Sequence, residues 1–365
     1  MDMFRREADL ATDGHFISAL DSEKWDGALS AAARPDSYFS AAYHRLSEID
    51  SGRQAYAYVY QGQGQALFHP FLIAQVPLEL SDGKVLYDIE SCYGYSGPLS
   101  TTNDPVILCQ LWEPYLDWCQ KKGVVAEVTK CHPLLKTEQF VSEKTRILRN
   151  REMVYIDVSK PEDVLWTNYP PSQRTTIRQA LKNGLTSRLG APDELKSVFL
   201  PIYQSTMNFV SASDRYYFSE PYFDFLAGVP ESFFDLLIIE KESRSMAAAL
   251  FFKGSDFYHY HLSGSLPEFR DFRPNNLLLH EASLRAHRLG LTKFHLGGGR
   301  TTATDDALFK FKASFSNLRA EFHIGETIHQ PEAYEQVCQN WLRQAAQAER
   351  PASLLFYRTP LPSST

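Results

Sequence analysis

The chain has 365 residues, 44% hydrophobic and 13% aromatic, with a formal net charge of −7. That length predicts one large or two ordinary domains, and the apolar content excludes a disordered chain. The acidic balance excludes a general nucleic-acid coat, which needs positive charge against phosphate, so no DNA partner is expected. The five cysteines (Cys92, Cys109, Cys119, Cys131 and Cys338) include no Cys-x-x-Cys pair. They predict reduced, mostly buried thiols and no metal. No apolar run reaches eighteen residues and no signal-peptide core occurs, which predicts a cytoplasmic protein without a membrane span.

In chain order, "QAYAYVY" (54–60) and "ALFHPFLIAQV" (66–76) predict a hairpin about Gln-Gly-Gln-Gly-Gln. Residues 84–90 predict a third strand. Asp104 as cap and Pro105 at the first helical position open a helix that two lysines and Gly123 close, and 124–130 follows as a strand. Past Pro161, Pro170 and Pro171, "SQRTTIRQALKNG" predicts a helix with Ser172 as cap and Gly184 as stop. "DELKSVFLPIYQSTMNF" predicts another, followed by an aromatic loop. Residues 233–240, 246–253 and 256–263 predict three strands, and Asn275 or Asn276 caps a helix ending near Gly290. Residues 291–296 form the next strand. Each half thus gives strand, strand, strand, helix, strand, the order of a duplicated α/β domain. A strand "AEFHIGETI" and a helix over about 331–347 end the chain, folding back onto the first lobe.

Four constellations carry possible chemistry. In "GSLPEFRDFRPNN", Arg270 and Arg273 stand before a helix N-terminus, where free N–H groups and the dipole attract anions; the alternative is two surface arginines. Arg174, Arg178 and Lys182 recur every four residues and share one helix face, suited to a diphosphate or simply solvated. In "DIESCYGYSGPLS", Tyr95 lies in a glycine-rich loop that either lines a cleft or is ordinary. Finally, "KFHLGGGRTTATDDALFKFKASF" ends a strand in Gly297, Gly298 and Gly299, where α/β folds bind ligands. It returns with Phe311 and Lys312. Phe309, Phe311 and Phe315 are expected to pack, and the Lys312 ammonium to stabilise negative charge. Asp305 or Asp306 is a candidate for taking a proton, unless it caps a helix.

"CYGYSGP", "KCHPLL", "RTTIRQALKNG", "YYFSEPYF", "HLSGS", "RPNNLLLHEASLRAHRLGLTKFHLGGG" and "LFKFKASF" occur in the order seen in Fem-type aminoacyltransferases, and the chain resembles that family from about Tyr38 to Phe322. Related acetyltransferase-like proteins of the GNAT superfamily share the pattern. The resemblance implies an α/β (α+β) fold of two tandem GNAT-like domains, each a mixed, largely antiparallel sheet flanked by helices. The expected boundaries are 1–153, an acceptor-side lobe completed by 322–365, and 154–321, a donor-side lobe. It further implies an N-acyltransferase that modifies the amine of a cell-envelope precursor, a peptidoglycan peptide or an amino sugar. The donor would be aminoacyl-tRNA, engaged through its acceptor end, or acyl-CoA, with no bound cofactor. The family's Phe-Lys pair falls on Phe311 and Lys312, and its arginine on Arg178 as a ligand for the acceptor's phosphate. Where acyl-CoA enzymes carry a Gln/Arg-x-x-Gly-x-Gly/Ala loop, this chain has "FRDFRPNN" without the glycines, which weakens coenzyme A as donor. Two alternatives stand: an acyl-CoA-dependent acetyltransferase of exopolysaccharide synthesis, and a non-catalytic ligand-binding relative.

Overall fold

The computed structural model describes residues 14–77, 83–303, 305–345 and 349–361. The expected end of the last helix, near residue 347, lies outside them. Contacts divide the chain into unit 1, Met1–Asn150 with Phe322–Thr365, and unit 2, Arg151–Glu321.

Unit 1 begins with β1 (Gly14–Ser18), α1 (Ser22–Ala32) and α2 (Ala41–Ser51), followed by the hairpin β2 (Gln54–Gly62) and β3 (Gln65–Gln75). Gln63 and Gly64 turn this hairpin with positive φ at both positions, 54° and 76°, as a tight two-residue connection requires. β4 (Tyr87–Glu90), β5 (Leu99–Ser100), α3 (Pro105–Lys122) and β6 (Val124–Lys130) complete the first half. Asp104 accepts from Val106 N and Ile107 N, and Gly123 ends α3 in the left-handed region, so both sequence-derived caps of this helix are found. The expected strand 84–90 starts only at Tyr87.

Unit 2 takes β7 (Arg146–Asp157) from residue 151 onward, then α4 (Glu162–Asn168), α5 (Pro171–Lys182), β8 (Thr186–Gly190), α6 (Leu200–Phe209) and α7 (Glu220–Ala227). β9 (Phe234–Lys241), β10 (Arg244–Lys253), β11 (Phe257–Ser265), α8 (Pro274–Arg288), β12 (Lys293–Gly297) and α9 (Ala307–Ala313) follow. The chain then returns to unit 1 with β13 (Arg319–Ile328) and α10 (Pro331–Gln344).

The strand order of the two units repeats one plan. Unit 1 runs β1-β2-β3-β4-β6-β13, with β5 on β3, and unit 2 runs β8-β9-β10-β11-β12-β7. In each, one inner pair is parallel, β4 with β6 and β11 with β12. The strand beyond that pair is supplied out of chain order. β7, which follows β6 in sequence, pairs with β12, whereas β13, which follows α9, pairs with β6.

The core of unit 2 packs Ile177 and Ala180 of α5 and Leu277, Leu278, Ala282 and Ala286 of α8 onto Leu237, Ala247, Phe251, Tyr258 and Phe294 of the sheet. Each large apolar side chain contributes about 1.5–3 kcal/mol by leaving water. Unit 1 has an aromatic core of Tyr58, Phe71, Trp112, Tyr115 and Trp118. A second cluster packs Tyr334 and Trp341 of α10 and Phe356 against Val125 and Ala126 of β6. Past α10, Arg358 Nε donates to the fully buried Asp88 carboxylate at 2.7 Å, which Arg53 also reaches at 3.2 Å.

Two helix starts differ from expectation. α5 begins at Pro171 with Pro170 as cap, and α8 at Pro274 with Arg273 as cap, so neither Ser172 nor Asn275 nor Asn276 is the cap. The reason is common to both: proline fits the first helical position, where no N–H is needed.

Candidate active site where two parallel strands part

β11 and β12 pair at Phe257 with Lys293, Tyr258 with Phe294, and His259 with His295. Beyond this point β11 continues on β10 to Ser265, while β12 shifts register against β7 between His295 and Gly297. Gly297 has φ 78°, open to glycine at little strain. The turn it starts runs through 298–301.

Into this parting comes Lys312 from α9. The Phe-Lys-Phe-Lys segment is a short helix, capped by Asp306, that exposes Lys310 and buries Lys312. Lys312 is 8% exposed. Its Nζ donates to Gly298 O at 2.8 Å and lies 5.6 Å from the Tyr260 ring centre. Burial pulls its pKa from 10.5 down to about 7; Asp306 opposes that shift and Arg151 adds to it. An ammonium held this way sits near its titration point at neutral pH. Tyr260, the first β11 residue past the parallel pairing, is pushed up to about 12 by burial and stays neutral.

The glycine row has an internal cause. A Cβ on Gly299 would lie 2.5 Å from Asp306 Oδ1, and one on Gly298 would meet Met153 Sδ at 2.9 Å and Arg151 Cδ at 3.0 Å. The side chains missing at 298 and 299 therefore make room for the protein's own groups. Asp306 is likewise committed. Its Oδ1 accepts from Phe309 N at 2.9 Å, and its Oδ2 accepts from Arg300 N and Thr301 N, each at 3.1 Å. Those bonds hold its pKa below the usual carboxylate value, which suits a cap and not a proton acceptor. Asp305 is exposed. Phe311 is half-buried and meets Phe315 edge-on at 5.5 Å.

Three helix ends meet through one amide. Gln173 in the first turn of α5 is 5% exposed, and its Oε1 contacts Asn276 Nδ2 at 3.2 Å and Ser314 Oγ, the end of α9, at 3.3 Å. Asn275 donates to Ser265 Oγ at 3.0 Å.

The candidate cations are spread out. Arg174 turns back onto its own chain, donating to Thr167 O and Tyr169 O at 2.9 and 2.8 Å, so that guanidinium fixes the approach to α5. Arg178 is exposed and lies 5.1 Å over the Trp166 ring. Arg270 covers Phe209 at 4.1 Å, and Arg273 is exposed at the α8 cap with φ 61°. Tyr95 belongs to unit 1, where its half-buried ring meets Tyr38 and Phe322 edge-on at 5.8 and 5.3 Å. Sequence reasoning missed Tyr260, Gln173 and Arg151. The apolar run "MVYID" after Arg151 was a usable strand signal.

Residues 171–312 match the model of the acetyltransferase (GNAT) domain. The chain is also similar in structure to FemX, with a TM-score of 0.66 at 14% identity over 89% of this chain and 99% of that one. L-PGS from Bacillus licheniformis gives 0.54 at 10% identity over 89% and 97%. The C-terminal domain of a protein assigned as a lysylphosphatidylglycerol synthetase in Agrobacterium fabrum gives 0.53 at 12% over 84% and 92%. No curated protein matches the chain by sequence. The fold is GNAT-like, with two GNAT-like units in tandem. Among the described residues no helix is long and apolar enough to cross a membrane.

Proposed function

We propose that this protein is an N-acyltransferase that moves an acyl or aminoacyl group onto the amine of a cell-envelope precursor. The observation that carries the reading is the buried Lys312 ammonium at the parting of β11 and β12. A neutral amine attacks the donor's ester or thioester carbonyl, the C–N bond forms, and the Lys312 ammonium stabilises the developing oxyanion. As the C–O or C–S bond breaks, the proton lost by the attacking nitrogen ends on the leaving oxygen or sulfur. One preorganised donor of this kind is worth about 3–4 kcal/mol, and holding both reactants in register about 7–11 kcal/mol in the best-oriented cases. Arg178, exposed on α5, anchors the acceptor's phosphate.

Aminoacyl-tRNA is the donor we favour. Pro274 offers no N–H at the first helical position, and Asn276 N donates to Arg273 O at 3.2 Å, leaving α8 poorly equipped to hold a pyrophosphate. The likeness to FemX and to the lysylphosphatidylglycerol synthetase domain points the same way.

The deciding experiment offers purified protein labelled aminoacyl-tRNA and, separately, labelled acetyl-CoA, with a peptidoglycan-precursor peptide or an amino sugar as acceptor. Label on the acceptor from tRNA supports the reading. Transfer from acetyl-CoA alone establishes the acetyltransferase instead, and binding without single-turnover transfer establishes a non-catalytic relative.

A further inference from the structure

The turn at 297–301 is gripped by two cations from opposite sides in sequence. Lys312 donates to Gly298 O at 2.8 Å. Arg151, the first residue of unit 2, donates through Nη1 to the next carbonyl, Gly299 O, at 2.9 Å and also contacts Thr301 O at 3.4 Å. Gly298 is bare where the Arg151 side chain passes, since a Cβ there would lie 3.0 Å from Arg151 Cδ. The amide side of the turn is held by Asp306, which accepts from Arg300 N and Thr301 N. Carbonyls to cations and amides to a carboxylate leave this turn one conformation.

We propose that Arg151 is a positioning residue for Lys312: by binding the adjacent carbonyl of the same turn it fixes the oxygen that holds the lysine. The proposal rests on the reading of Lys312 given above for its relevance to turnover, but not for its physical content. Among the described residues, the charged groups acting on the ammonium are Asp306, from the turn before α9, and Arg151, from β7. They act in opposite directions, and Tyr260 on β11 faces it as a neutral phenol. Removing the arginine leaves Asp306 unopposed, so the lysine must hold its proton to higher pH. In the transfer reaction this extends the charged, oxyanion-stabilising form to more alkaline conditions.

Charge and geometry separate with two substitutions. Arg151→Gln keeps an N–H donor for Gly299 O without the charge, whereas Arg151→Lys keeps the charge without the fork. The measurement is the titration of the Lys312 amine by NMR in lysine-labelled full-length protein without substrate, its signal assigned by its loss in Lys312→Met. The expected result is a midpoint raised by about half a unit or more in Arg151→Gln and moved less in Arg151→Lys, both variants keeping the wild-type fold by circular dichroism. An unchanged midpoint in folded Arg151→Gln overturns the proposal. Should Arg151→Gln not fold, Arg151→Met, which also removes the charge, is titrated in its place with the same expectation. Absence of acyl transfer in the wild type, with the predicted midpoint shift intact, would count against the proposed activity alone.

Discussion

The two parallel strand pairs are built alike and finished differently. In unit 1 the strands stay joined past the end of β4. Ser91 N donates to Val128 O at 2.9 Å, Ser96 N to Lys130 O at 2.8 Å, and Ser96 bridges Cys131. Lys130 closes the seam, with its Nζ 3.2 Å from Ser91 O and 3.3 Å from Cys92 O. In unit 2 the pairing stops at His259 and His295, and a buried lysine enters from α9.

Two buried charges differ in how they are partnered. Glu127 of β6 accepts from His69 at 2.7 Å, Tyr115 at 2.9 Å, His329 at 3.0 Å and Thr129 at 3.2 Å, and the histidines hold its pKa far down against its burial. Lys312 has one hydrogen bond among the described residues, to Gly298 O. A charge with every lone pair taken stabilises a fold, whereas one kept out of water with a single neutral partner is a reserve for chemistry. By this criterion Glu127 belongs to the scaffold, and Lys312 is the candidate for chemistry.

The comparison breaks most visibly at Lys312. Its folded pKa is about 7 against an ordinary 10.5, so between those values the unfolded chain binds a proton that the folded chain lacks, and stability rises with pH across that window. Lys312→Met removes a penalty on the order of 4 kcal/mol at pH 7. The variant should therefore melt higher at neutral pH and lose the alkaline gain in a pH series of thermal scans. The same substitution should lower kcat about 100- to 1,000-fold with a much smaller change in acceptor KM. A variant both more stable and nearly inactive marks a residue kept for function; wild-type kinetics would remove the lysine from the mechanism.

In unit 1, Arg358→Met should destabilise by about 3 kcal/mol, because it strips a partner from the buried Asp88, with kcat unchanged in the surviving folded protein. Chemical denaturation read beside a kinetic assay tests both halves. Burial lowers His44 and His280 to about 4 and His261 to about 3, from 6.5. Their contribution to stability is present above pH 6.5 and is lost as pH falls toward 4, so both units should weaken together in acid scans. The smallest effect is expected for Arg178→Ala, a several-fold rise in acceptor KM, worth about 1 kcal/mol; an unchanged KM returns α5 to a solvated face.

What the residue string shows depends on how local the cause is. The ends of α3 are written in Asp104, Pro105 and Gly123, each acting on its nearest backbone, and both were legible. So was the repeated strand and helix order, because each apolar run is bounded by its own turn. The starts of α5 and α8 slipped by two or three residues, since Ser172 and Asn275 or Asn276 compete as caps with prolines whose fixed φ starts the helix earlier. α9 was missed because seven residues are too short for a helical period to show against alternation. The glycines suggested a ligand-facing strand end; that Gly298 meets Arg151 depends on a strand more than a hundred residues away.

The crossed assignment of β7 and β13 sets an order of assembly during synthesis. Residues 151–321 leave the ribosome with every strand of their own sheet present. The earlier unit must wait, with β6 an unpaired edge, until β13 emerges after it. Nascent chains halted before residue 319 should hold a folded later half and an earlier half still open to proteases.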